Sequence, residues 1–292
     1  MLYQSRMSIL LSLFSALIWM SFGLLIFGQG PAFAEPNVCM NDPTLACCKS
    51  REEHSKDERP RPYVTPAEVP LLSVLPPPPN PEATKVELAE LRRLRDGSTR
   101  EEEKKACLDY EETAERFLNA SAVDETLRKA VISCGRNSGL FQRIRDTEGA
   151  VTDPAKNDKS FKRDRPYNSP YNTYGDLSPV KTIDPKHDSY SYPSGHATYG
   201  TLIGLVLADL LPSDEKWRSA IYRRMEDFGY SRLVSRVHYR SDVYAGHVSG
   251  ELIYTTIRER DEFVRDFKTT KDCLSAALSL SRPSGGPSPG GH

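Results

Sequence analysis

Thr201-Leu202-Ile203-Gly204-Leu205-Val206-Leu207-Ala208-Asp209-Leu210-Leu211 is apolar on nearly every side when wound into a helix. It falls far short of the roughly 20 residues that cross a bilayer, so it reads as a helix surrounded by protein. The flanking chain is helical in period as well. Val86, Leu88, Leu91 and Leu94 begin the pattern, which restarts at Ser98-Thr99, where Glu101 and Glu102 offer capping-box partners. Further helical segments are expected over about 123–144, 156–164, 197–211, 213–228 and 237–267, with Ser213 as an N-cap ahead of Asp214 and Glu215. In the last of these, Ala245, Gly246 and Gly250 are small enough to let a neighbouring helix come close. No strand-like alternation competes and no internal repeat is visible. The expected architecture is all-α, a single-domain helical bundle around one central buried helix.

Both ends look non-globular. Arg6, an apolar run from Ile9 to Phe27 and then Pro31-Ala32-Phe33-Ala34 make residues 1–34 a secretory signal with cleavage after Ala34; an uncleaved anchor is the alternative. Both put the rest of the chain outside the cytoplasm, and with cleavage no membrane contact is expected. Residues 35–62 form a polar, Cys-containing segment, 63–268 the folded domain, and 269–292 a flexible tail whose last part is Gly/Pro/Ser-rich. A proline-rich stretch ends in Pro76-Pro77-Pro78-Pro79-Asn80-Pro81 and must be extended.

The 292 residues carry a formal net charge of -1, which gives no bias toward nucleic acid, so any anion site must be built locally. Six cysteines (Cys39, Cys47, Cys48, Cys107, Cys134, Cys273) follow the signal, an even number that permits up to three disulfides. No second Cys or His cluster has finger-like spacing, so no metal site is expected.

Three clusters fit one reaction. Pro193-Ser194-Gly195-His196 stands at the start of the apolar helix, where a capping Ser and a Gly that admits close approach would leave backbone N–H groups facing an anion. His238 and Asp242 are four residues apart, so on one helix the carboxylate reaches the imidazole from a turn away and can orient it as a nucleophile or base. Arg232 lies six residues before His238, and a break between them is needed to bring both to one site. Arg165 precedes Pro166, which is unfavourable for helix, so Arg165 is expected at a helix end with its guanidinium fork in a cleft.

Taken together these residues resemble the type 2 phosphatidic acid phosphatase and vanadium haloperoxidase superfamily, and within it the class A bacterial nonspecific acid phosphatases. The superfamily signature is Lys, six residues, Arg-Pro; then Pro-Ser-Gly-His; then Ser-Arg, five residues, His, three residues, Asp. Arg165-Pro166, Pro193-Ser194-Gly195-His196 and Ser231-Arg232 through His238 to Asp242 match it in order. The likeness to the class A group adds Tyr63-Val64-Thr65-Pro66 through Pro79 and covers about residues 63–265. One position departs. Where the family has Lys, seven before Arg165, this chain has Asp158. On a continuous helix that position lies about 20° from Arg165, Lys162 about 60° off and Lys159 about 120° off; a π-bulge would realign Lys159. Lys159 is the lysine expected in this role and Lys162 its rival.

The resemblance implies an all-helical, periplasmic or secreted acid phosphatase that needs no cofactor and no metal. His238 would attack phosphorus, Asp242 would orient it, and His196 would protonate the leaving group. Arg165, Ser194, Gly195, Arg232 and Lys159 would bind the phosphate. Small phosphomonoesters and inorganic phosphate are the implied partners, and a homo-oligomer stays open. The alternatives are a lipid phosphatase or vanadate-dependent haloperoxidase of the same superfamily, or a non-catalytic phosphate-binding protein. His54, His187, His247 and His292 match no motif position.

Overall fold

The computed structural model describes residues 61–180, 189–211 and 214–280. The signal segment, Cys39, Cys47, Cys48, His54, His187, Ser213 and His292 lie outside them. Within the described residues are ten α-helices and no strand, the all-α architecture expected. They are α1 (Leu71–Val74), α2 (Pro81–Gly97), α3 (Arg100–Leu108), α4 (Ala114–Asn119), α5 (Glu125–Asn137), α6 (Leu140–Asn157), α7 (Gly195–Leu210), α8 (Glu215–Val234), α9 (Arg240–Ile257) and α10 (Asp261–Leu280).

The apolar stretch forms α7, the centre of the bundle, with 13 of its 16 residues buried. Helices α6, α8 and α9 pack around it. The most extensive packing is with α9, where a Cβ on Gly246 would lie 2.5 Å from the Ser194 carbonyl and one on Gly250 2.7 Å from the Thr198 carbonyl. Side chains other than hydrogen at those two positions would hold the helices apart.

Local chemistry sets the helix starts. Asn80 caps α2, with Pro81 in the first turn. Thr99 and Glu102 form the capping box that starts α3. Asp214 caps α8, its carboxylate accepting from Lys216 N at 2.8 Å. The proline-rich stretch lies against the body, with Leu71 and Leu75 buried and the Pro76 carbonyl accepting from the Tyr192 hydroxyl at 2.6 Å. A disulfide joins Cys134 of α5 to Cys273 of α10 across 139 residues. On the chain-entropy account, closing such a loop stabilises the fold by about 5 kcal/mol. Cys107 is also disulfide-bonded. Among the described residues, no helix is long and apolar enough to cross a membrane.

Four expected spans differ. The segment 123–144 is two helices, because Gly139 takes a left-handed φ of 75° between them. No helix covers 156–164. Helix α6 ends at Asn157, where the Asp158 carboxylate accepts from both the Ser160 backbone N and its hydroxyl, a local bond that competes with helix. The segment 237–267 contains a break between α9 and α10, and His238 precedes α9 rather than riding on it. Finally, α10 runs to Leu280, past the boundary expected at 268, held by the Cys273 disulfide and buried Leu274.

Candidate active site

Arg165 owes its position to Pro166. The residue before proline is pushed to extended backbone, and Arg165 has φ -66° and ψ 157°. It does not end a helix, since α6 has stopped eight residues earlier at Asn157. Its guanidinium spans two segments, donating to Ser189 O at 2.9 Å and to Val237 O at 2.9 Å. The Nη1 group also lies 3.2 Å from His238 Nε2. Arginine only donates, so Nε2 must accept there, which places the His238 proton on Nδ1.

The turn that presents His238 supplies the break expected after Arg232. Helix α8 ends at Val234, Arg236 adopts φ 60°, and Val237 N closes back on the Arg232 carbonyl at 3.2 Å. Asp242 sits in the first turn of α9, with one carboxylate oxygen 2.9 Å from Tyr239 N and 3.5 Å from His238 Nδ1. The second distance exceeds a hydrogen bond, but the carboxylate faces the N–H it would stabilise. Burial, then Arg165, Lys156, His196 and Arg232, hold His238 well below the ordinary histidine range. It is a neutral imidazole among cations.

Ser194 caps α7, accepting from Ala197 N at 3.3 Å, and its own N–H donates to the Asp242 carbonyl at 3.0 Å. The α7 start and the α9 start are thereby fastened together. The amides of Gly195 and His196 belong to the first turn and have no partner in the helix ladder. A Cβ on Gly195 would meet Glu148 Oε1 and Lys156 Nζ, each at 2.9 Å, so glycine lets both side chains reach the helix start.

Lys159 is not at this site. It is exposed, and its charge acts on Asp158. Lys162 is exposed too, over the Tyr190 ring. Lys156, with 7% exposure, is the lysine that reaches the α7 start beside Gly195, because the chain leaves the helix at 157 and a helical count back from Arg165 no longer applies. Arg232 is buried beside the histidines, donating to Ala106 O and Ser231 Oγ, and burial lowers it to about 10. His196 has both ring nitrogens engaged: Nδ1 lies 2.8 Å from Glu112 Oε1 and Nε2 2.9 Å from Tyr110 O. Burial lowers its pKa from 6.5 against the opposing pull of Glu112.

Three contributors were not read from the sequence. Arg163, almost buried, donates to Asp242 at 2.6 Å, Ser241 Oγ at 2.8 Å and Glu87 at 2.7 Å, with its guanidinium 3.6 Å from the Tyr239 ring centre. Burial raises the Asp242 pKa and Arg163 lowers it, so Arg163 favours the charged carboxylate. Glu148, beside Gly195, is raised to about 8, mainly by burial and next by Glu112. Glu112 is the third. Among the described residues, no three His, Cys, Asp or Glu side chains are grouped to hold a metal ion. A cleft of about 290 Å³, lined by Asn157, Asp164, Arg165, Asn168, Ser189 and Tyr190, opens onto Arg165.

The sequence model of the PAP2 superfamily matches residues 149–260, which contain Lys156, Arg163, Arg165, α7, α8, His238 and Asp242. The chain is similar to a non-specific acid phosphatase of Salmonella typhimurium, 34% identical over 90 residues, or 31% of this chain and 35% of that protein. It is similar to an acid phosphatase of Zymomonas mobilis, 32% identical over 142 residues, or 48% of this chain and 50% of that protein. A non-specific acid phosphatase of Providencia stuartii is 30% identical over 93 residues, or 32% and 36% of the two chains. This chain thus spans between 35% and 50% of the lengths of these relatives.

Proposed function

From this chain's membership of the PAP2 superfamily, we propose that it is an exported acid phosphatase that hydrolyses small phosphomonoesters through a phosphohistidine at His238, without a metal. The observation that carries the reading is the 3.2 Å approach of the Arg165 guanidinium to His238 Nε2. A phosphoryl group that displaces this contact meets the Nε2 lone pair at phosphorus and the guanidinium donors at its oxygens.

Phosphoryl transfer asks for positioning and charge stabilisation more than for covalent chemistry by the protein. Arg165, Arg232, Lys156 and the first amides of α7 would supply the charge. The lone pair of Nε2 attacks phosphorus, the P–O bond breaks, and its electron pair leaves on the ester oxygen, which takes a proton from His196. Asp242 stabilises the Nδ1–H as the ring gains positive character. Water then attacks phosphorus while His196 accepts its proton, and the P–N bond breaks to release phosphate and regenerate His238. Residues 1–34 would direct export.

Two predictions arise here. The first concerns the lysine. Lys156→Ala is expected to lower kcat/KM for p-nitrophenyl phosphate by about 10²-fold, the size of one lost charge-assisted contact, while Lys159→Ala stays within about 2-fold. Steady-state kinetics on the two variants distinguishes them, and an unimpaired Lys156→Ala would remove that lysine from the phosphate site.

The second, which tests the proposed function directly, concerns pH. His238 must be neutral to attack, so activity rises with pH through its pKa. His196 must be protonated to donate, so activity falls through its own. Burial lowers both from 6.5, His238 further. The kcat/KM profile, which reports the free enzyme, is expected to be a bell with its maximum below pH 6.5 and to be the same in EDTA. A rate still climbing above about pH 8, or one abolished by EDTA, would defeat the mechanism.

A further inference from the structure

We infer that Glu112 is the positioning residue of His196, gripping its Nδ1–H so that Nε2 carries the proton delivered to the leaving-group oxygen; this rests on the phosphatase reading above. Glu112 lies between α3 and α4, outside the residues that the superfamily model matches.

The segment that carries it is anchored on both sides. Asp109 is fully buried and accepts from Arg224 at 2.9 and 2.7 Å and from Arg116 at 3.2 Å. Thr113 caps α4, accepting from Arg116 N at 3.0 Å. Only Tyr110, Glu111 and Glu112 lie between these anchors, and two of the three meet His196. Glu112 Oε1 is 2.8 Å from Nδ1 and Tyr110 O is 2.9 Å from Nε2. On its remaining side the imidazole stacks on Phe228, 26° between planes.

Two acceptors on two ring nitrogens are satisfied together only by the doubly protonated ring. Below the His196 pKa the arrangement therefore holds a loaded acid. The partners are unequal: a carboxylate grips its N–H through a charge-assisted bond, whereas the neutral Tyr110 carbonyl is the one a developing alkoxide can displace. Once Nε2 has given up its proton, the remaining one stays on Nδ1 against Glu112, and the new lone pair is on Nε2. That is the tautomer needed to take a proton from the attacking water. Without Glu112 the neutral ring has no such bias.

The charged and titratable groups around His196 come from four directions. Glu112 and Tyr110 face it from the α3–α4 segment, Arg232 from α8, His238 from the turn before α9, and Glu148 with Lys156 from α6 beside Gly195. Arg232 opposes protonation of His196, and Glu112 favours it.

The test is the dependence on the leaving group. Glu112→Gln keeps size and a carbonyl acceptor but loses the charge; Glu112→Ala removes the contact. For both variants and wild type, kcat/KM is measured with p-nitrophenyl phosphate, phenyl phosphate and an alkyl phosphate, together with inhibition by inorganic phosphate and the melting temperature. A good leaving group needs little protonation and a poor one needs all of it. The expected result is a fall of about 10²-fold on the alkyl ester, the scale of general acid catalysis, and under about 3-fold on the p-nitrophenyl ester, with phosphate inhibition unchanged. The alkaline limb of the Glu112→Gln profile should also move to lower pH. An equal fall on all three esters, or weaker phosphate inhibition in proportion to lost activity, overturns the assignment in favour of a purely structural role. If Glu112→Ala does not fold, Glu112→Gln decides alone. A wild type that turns over none of the esters overturns the phosphatase reading itself, and this inference with it.

Discussion

His238→Ala is expected to lower kcat by at least about 10³-fold, some 4 kcal/mol of barrier, and to abolish the covalent phosphoenzyme while leaving the fold intact. No other histidine near the site can substitute. Both His196 nitrogens are occupied by Glu112 and Tyr110, and His247 Nδ1 is 2.7 Å from the Thr201 hydroxyl in the α7–α9 contact. The fold should survive because His238 Nδ1 has no hydrogen-bond partner to strand. Asp242 keeps Arg163 at 2.6 Å and Tyr239 N at 2.9 Å. Rapid quench with phosphorus-labelled substrate is the check. Wild type should trap label that survives alkali and is lost in acid, as a phosphoramidate does, and the variant should trap none. Label retained by a folded variant, or more than about one hundredth of the wild-type rate, would assign the nucleophile elsewhere.

How far this site could be read beforehand depends on how local its determinants are. Helix α7 was legible because an all-round apolar run too short for a membrane has only one place to go, and Ser194 before Gly195 marks where it starts. The break between Arg232 and His238 was legible as a geometric need, without any sign of its cause, the left-handed Arg236. The lysine was misplaced because counting residues back from Arg165 assumed a helix that Asp158 had already ended. Arg163 had a readable signal. In an extended segment residues two apart face the same side, and Arg163 and Arg165 reach Asp242 and His238 of one turn. Glu112 had none, since Glu111-Glu112 resembles any solvated acidic loop and its partner is 84 residues away.

The same contacts bear on how a chain of net charge -1 would build the proposed anion site. The charge of Arg163 is shared between Asp242 and Glu87. On the proposed reading Arg165, Arg232 and Lys156 carry the positive charge, and Glu148, at about 8, is neutral in the acid window where the histidines are in their working forms. Acid conditions would thus leave the proposed cradle more positive without disabling the proposed nucleophile, which burial and then the same cations keep neutral.

The second large effect is expected at a residue that has no titrating group of its own. Gly246→Val should destabilise the protein by about 3 kcal/mol, lowering the melting midpoint by about 10 °C, and should reduce kcat/KM by more than about 10-fold. A Cβ at Gly246 would lie 2.5 Å from the Ser194 carbonyl, 2.7 Å from Ala197 Cβ and 3.2 Å from Thr198 N. These are mostly backbone atoms of the first turn of α7, already committed: Ser194 O accepts from Thr198 N at 3.0 Å and from its hydroxyl at 2.9 Å. They cannot rotate aside as a flexible side chain would, so α9 must move away from α7. That movement separates Ser194 N from the Asp242 carbonyl, the 3.0 Å bond that fixes the proposed phosphate cradle against the start of α9. Activity is therefore lost through geometry even in molecules that remain folded. Gly97→Ala is the control, since nothing lies within 4 Å of a Cβ at that position, and it should stabilise α2 by up to about 1 kcal/mol with kinetics unchanged. Differential scanning calorimetry and kcat/KM on both variants check the pair. Equal tolerance of the two substitutions would mean that the α7–α9 crossing does not hold the site together.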